Sequence, residues 1–131
     1  MVAPPLQGNI LESTGGAFVI AEWQDGGGPP EPPRLVAPRH VHNSDDEAWY
    51  VLEGVLCVQR GEEIVEVRAG CGVFVPRGTV HTYWNPAEGP ARYLLIMTAN
   101  IQNLIREIHA MQERTPATLA AVFEKYDSRL C

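Results

Sequence analysis

His40-Val41-His42-Asn43-Ser44-Asp45-Asp46-Glu47, closed by Gly54, is the stretch that decides the fold. Residues i and i+2 of an extended strand face the same side of a sheet, so His40 and His42 present both imidazoles to one interior. Glu47 follows five residues after His42, with Asp46 just before it as a competing carboxylate. Further on, Gly70, Pro76, Gly78, His81 and Asn85 place a third histidine behind a turn shaped by glycine and proline. A lone histidine on such a chain reads as an ordinary polar residue. Three imidazoles and a carboxylate in this register read as the ligand set of one metal ion, His40, His42, Glu47 and His81.

The surroundings of that stretch are strand-like. Gly16 to Trp23 is rich in β-formers, and short apolar runs follow at 35–42, 47–53, 55–60, 63–68, 73–75, 80–84 and 92–98. Gly54, Gly61, Gly70, Gly72, Pro76, Gly78, Pro86, Gly89 and Pro90 punctuate them. Strands at intervals of about 8–12 residues with turn residues between them indicate an all-β sandwich or barrel. The Asp25–Pro33 segment, with its glycines and prolines, fits neither helix nor central strand and reads as an exposed, flexible connection rather than a lid. The period then changes. Ile101, Leu104, Ile105, Ile108 and Met111 recur at helical spacing with Asn100 as N-cap, and a second helix opens at Thr115-Pro116 with Leu119, Val122, Phe123 and Tyr126 as its stripe. Two helices covering the barrel from outside, or meeting a partner, are expected.

Length and charge bound the rest. With 131 residues the chain supports one domain, a barrel over about 14–99 and a helical segment over about 100–127. A formal charge of −6 with scattered basic residues excludes a phosphate-neutralising stripe, so no nucleic acid is expected as partner. No apolar run approaches the roughly 20 residues of a membrane span, so no membrane partner is expected. The N-terminus lacks the basic start and apolar run of a signal peptide. Cys57, Cys71 and Cys131 follow no zinc spacing and are expected as free thiols in a reducing cytoplasm.

The two motifs resemble those of the cupin superfamily. The first has the form His-x-His, three or four residues, Glu, six residues, Gly, met by His40, His42, Glu47 and Gly54. The second is Gly, five residues, Pro-x-Gly, two residues, His, three residues, Asn, met by Gly70, Pro76, Gly78, His81 and Asn85. One departure is Arg34, which stands where the family often has glycine; another is Asp46, which fits the shorter spacing, although the step to Gly54 favours Glu47. The resemblance implies a cupin double-stranded β-helix, a jelly-roll barrel with two C-terminal helices packed outside. It also implies a divalent transition metal ion at the four side chains; these donors accept Fe, Mn, Ni, Co, Cu or Zn alike.

Strand parity extends the site. If Glu47 points inward, so do Trp49 and Val51; if His81 points inward, so do Thr79 and Tyr83. These four are the expected substrate pocket, with Trp49 and Tyr83 as aromatic walls. Arg77 is expected to be solvated, His109 to be a surface or packing residue, and Leu95 and Met97 to be core. Within the cupins the chain resembles the small single-domain, quercetin dioxygenase-like bacterial members. That implies a metal-dependent oxygenase acting on a small organic substrate, with Glu47 serving as ligand and catalytic base. The alternatives are a metal-dependent isomerase, epimerase or cyclase, and a non-enzymatic small-ligand-binding module. Lys125 is the single lysine, which speaks against a sugar-phosphate site. A homodimer is expected, its N-terminal strand adding to a partner's edge.

Overall fold

The computed structural model describes residues 2–131. Ten strands and two helices follow in chain order. They are β1 (Ile10–Leu11), β2 (Phe18–Asp25), β3 (His40–His42), β4 (Glu47–Glu53), β5 (Val55–Arg60), β6 (Glu63–Arg68), β7 (Gly72–Val75), β8 (His81–Trp84) and β9 (Ala91–Thr98), then α1 (Ala99–Ala110), α2 (Pro116–Lys125) and β10 (Ser128–Leu130). They form two antiparallel five-stranded sheets, ordered β1-β2-β9-β4-β7 and β10-β3-β8-β5-β6. This is the double-stranded β-helix with both helices outside the sheets. Among the described residues, no helix is long and apolar enough to cross a membrane.

Alternation in sequence becomes the two faces of the first sheet. Along β9 the residues Ala91, Tyr93, Leu95 and Met97 are buried while their neighbours are half-buried. Trp49 and Val51 on β4, Val19 and Ala21 on β2, and Leu56 and Val58 on β5 join them in one core between the sheets. Each fully buried large aliphatic side chain contributes roughly 1.5–3 kcal/mol, so this layer carries most of the fold's stability. Gly54, between β4 and β5, has φ +78, and a Cβ there would lie 2.4 Å from Pro90 O. Any other residue would force that turn off the β9 strand.

Several local expectations change. The N-cap of α1 is Thr98, whose hydroxyl accepts from Ile101 N; Asn100 lies inside the helix and donates instead to Asp45 Oδ2 and Tyr126 O, both at 2.8 Å. Thr115 does cap α2, with Pro116 following. The 26–39 connection has no regular structure, yet Arg34 fastens it: its guanidinium donates to Pro29 O and Asn85 O and pairs with Asp25 at 3.8 Å. Arg34 thus replaces the family's glycine with a clamp. Asn85, the last residue of the second motif, closes its own turn by donating to Gly89 O and accepting from Ala87 N. The three cysteines are free.

Candidate metal centre

Two sheets supply the site. His40 and His42 stand on β3, with His81 directly opposite His40 on the neighbouring β8. Glu47 comes from β4 in the facing sheet. All four side chains are buried, and their donor atoms lie within 4.8 Å of one another. Ring centroids are 4.7 Å apart for His40 and His42, 4.3 Å for His40 and His81, and 5.3 Å for His42 and His81. Donors on opposite sides of a cation bound at about 2.1 Å would stand about 4.2 Å apart, so the cluster needs only a slight contraction to close on one ion.

Backbone and side-chain acceptors hold each ring in one tautomer. His40 Nδ1 donates to Pro38 O at 2.7 Å, and His81 Nδ1 donates to Thr79 O at 2.9 Å. His42 Nδ1 meets Ser128 Oγ at 2.7 Å, and that hydroxyl donates onward to Tyr126 O, leaving its oxygen to accept. With Nδ1 carrying the hydrogen, every Nε2 keeps a lone pair for the interior. His42 Nε2 is buried without a hydrogen-bond partner, 3.5 Å from Glu47 Oε1. His81 Nε2 lies 3.0 Å from the same oxygen. Lone pairs cannot face a carboxylate oxygen unless a proton or a cation stands between them. The donor set therefore fits a divalent ion.

The electrostatics agree. Burial, reinforced by His81 and His42, lowers the His40 pKa to about 4, so this imidazole is neutral at pH 7. Burial alone would raise the Glu47 pKa; without a metal, positive charge from His42 and His81, a proton standing where a cation otherwise would, outweighs it and holds the carboxyl down to about 2. Three neutral nitrogens and one negative oxygen leave a bound divalent cation with net positive charge. Asp46, in contrast, points outward and accepts from Arg77 N, Nε and Nη2. Arg77 is thus paired as well as exposed, and Asp46 takes no part in the cluster.

His40, His42 and Glu47 floor a cavity of about 200 Å³. Trp49, Tyr83 and Leu95 form its barrel side, and Ile101, Leu104 and Ile105 of α1 with Leu119 and Phe123 of α2 form its roof. Phe123 packs against His40 with ring centroids 5.2 Å apart. Of the expected pocket residues, Trp49 and Tyr83 are in the wall and Val51 and Thr79 are not. Val51 lies four residues beyond Glu47, about 13 Å further along the strand at 3.3 Å per residue, and is sealed in the core. Thr79 sits in the turn before β8 and acts through its carbonyl. Leu95 is both core and cavity wall. The helices do more than cover the barrel: they complete the cavity, and His109 with Arg114 stands at it too. Val36, Ala37 and Pro38 bring the end of the proline-rich connection to the same wall. Sequence reasoning missed these and Ser128; the apolar helix stripes were visible, but not the place where they land.

Comparisons with known proteins agree with this fold. Residues 31–97 match the cupin domain family. Over 65 residues the chain is 35% identical to a mannose-1-phosphate guanylyltransferase of Salmonella muenchen, a match covering 50% of this chain and 13% of that enzyme. A cupin protein of Bacteroides fragilis superposes with a TM-score of 0.59 at 15% identity, over 88% of this chain and 90% of that one. A sugar phosphate isomerase of the cupin superfamily from Silicibacter pomeroyi gives 0.53 at 24% identity, over 63% and 51%. The chain belongs to the cupin domain family.

Proposed function

We propose that this cupin binds one divalent transition metal ion through His40, His42, Glu47 and His81 and acts as an oxygenase on a small organic substrate. The observation that supports it is three tautomer-fixed imidazoles and a buried carboxylate with donor atoms within 4.8 Å of one another, three of the four residues lining the floor of an apolar cavity. A bound iron-like ion would supply Lewis acidity and one-electron chemistry toward oxygen. The protein's part is to hold the substrate against that floor, to exclude water with Phe123 and the helix stripes, and to take a proton at Glu47. Quercetin dioxygenase-like behaviour is the specific form of this reading for the reaction, with a substrate smaller than a flavonol.

The likeness to an enzyme named for mannose 1-phosphate favours a sugar phosphate as ligand, and a second reading is isomerisation of such a ligand, with the ion polarising a carbonyl. The cavity's apolar wall and the engagement of Lys125 by Glu107 at 3.1 Å weigh against it. A ligand-binding module without chemistry is the third. We further propose a homodimer.

Elemental analysis of protein purified without added metal or a nickel column tests the first claim. Wild type should carry close to one ion per chain, and His81→Ala should carry none while keeping its β-sheet circular dichroism. Oxygen uptake with flavonols, diketones and smaller aromatics as substrates then separates the oxygenase from the isomerase. Wild type without stoichiometric metal would falsify the metal reading.

A further inference from the structure

The cavity over the metal-binding residues has a charged rim that the metal site does not use. Arg114, in the connection between α1 and α2, and His109, in the last turn of α1, are both exposed and both line the cavity. Seven of the chain's ten basic side chains stand in ion pairs. Arg114 stands in none, and it is the one unpaired arginine that lines this cavity among the described residues. In a chain of formal charge −6, an uncommitted guanidinium and an imidazole that are both exposed and both line one apolar cavity are a local exception. Below the rim the wall is hydrocarbon and aromatic, with one orphaned donor in it: Trp49 Nε1 is buried without a hydrogen-bond acceptor. An acceptor atom on a bound molecule is what this wall lacks.

Size narrows the class. About 150 Å³ suffices for a benzene ring in an apolar cavity, and drug-sized ligands occupy about 300–1,000 Å³. A cavity of about 200 Å³ takes one ring with short substituents, not a three-ring flavonol. We infer that the ligand of this site is a single-ring organic carboxylate, its ring among Trp49, Tyr83 and Leu95 and its carboxylate at the rim with Arg114 and His109. The opposite end then faces the metal-binding cluster, and this orientation is the one part that rests on the proposed metal site. A planar guanidinium suits a carboxylate because two N–H groups meet two oxygens.

Trp23 and Trp49 both line the cavity, so intrinsic fluorescence reports its occupancy. Benzoate and its neutral analogue benzyl alcohol are titrated into metal-free and Ni(II)-loaded protein, for wild type, Arg114→Gln and His109→Asn. Both substitutions are at exposed positions and should leave the fold intact. Expected are saturable benzoate binding to wild type, about tenfold weaker binding to Arg114→Gln, a smaller loss in His109→Asn, and weak benzyl alcohol binding that neither substitution changes. Benzoate affinity that ignores Arg114, or benzyl alcohol binding as well as benzoate, overturns the inference. If benzoate binds only with Ni(II) present and indifferently to Arg114, the carboxylate sits on the ion, and the inference falls while the metal reading stands. Arg114-dependent benzoate binding in a protein that takes up no metal leaves the anion site standing and removes the metal reading.

Discussion

Glu47 and His40 are buried ionisable groups shifted the same way, and their shifts make the metal-free protein acid-sensitive. His40 has an ordinary pKa of 6.5, lowered to about 4 in the fold, so between those values the unfolded chain binds a proton that the folded chain refuses. Glu47 behaves likewise between its ordinary 4.5 and about 2. In both windows the unfolded state holds more protons, so stability falls as pH falls. We predict that metal-free protein loses on the order of a few kcal/mol between pH 6.5 and pH 4 and loses more below 4.5, as one coupled cluster. Urea unfolding at a series of pH values measures it; a flat profile from 7 to 4 contradicts it. The four donor residues were legible because the i, i+2 spacing and the recurring glycines force a register. The acceptors that orient them were not. Pro38 and Thr79 act through carbonyl oxygens, which every residue has, and only the folded chain shows where those oxygens point.

The last strand carries a similar lesson at the scale of an element. β10 is three residues long, Ser-Arg-Leu, too short to show a period, and it forms because β3 offers an edge: Ser128 pairs with His42, Arg129 with Val41 and Leu130 with His40. The helices were readable from their 3.6-residue stripes. Their position was not, because it depends on the antiparallel return of β10 that pulls α2 across the cavity. This strand ties the helical roof to β3 through its backbone ladder, and one hydroxyl on it, Ser128 Oγ, reaches His42 Nδ1. Ser128→Ala removes the acceptor for His42 Nδ1 and frees the ring to turn. Groups that orient a metal ligand are worth about 10–100-fold in affinity. We predict at least a tenfold loss in Zn(II) affinity for Ser128→Ala, measured by competition with a chromophoric chelator. Ser128→Thr, which keeps a hydroxyl at this position, should lose much less. An alanine variant that binds zinc as tightly as wild type would show that the hydroxyl does not position the ring.

On the scale of the whole molecule, the first sheet's outward face is more apolar than a solvated sheet requires. Leu11, Ile20, Ile96, Ala48 and Phe74 stand in one row across all five strands, from β1 to β7. Beside them, Tyr50 pairs with Leu94, and Phe18 with Thr98. Phe18 is 64% exposed, Phe74 53% and Tyr50 42%, so this band offers large apolar groups to water. Contiguous apolar surface of this kind marks an association surface more often than a solvated one. The sequence suggested pairing by edge addition of the N-terminal strand; β1 covers the outer edge of β2 at Ile20 and Ala21, and the apolar band offers a partner a broader surface than that edge. Alternation revealed which residues face outward; it could not reveal that outward residues from five separate strands align, because register is a property of the assembled sheet. We propose that the dimer forms face to face through this band. Its core would be Ile96 and Phe74, and a charge there would be buried without a partner. We predict that wild type sediments as a dimer at micromolar concentration and that Phe74→Glu sediments as a monomer with unchanged circular dichroism and unchanged metal content, since Phe74 faces away from the cluster. A wild-type monomer at high concentration would dispose of the dimer, and a dimeric Phe74→Glu would move the interface to another face.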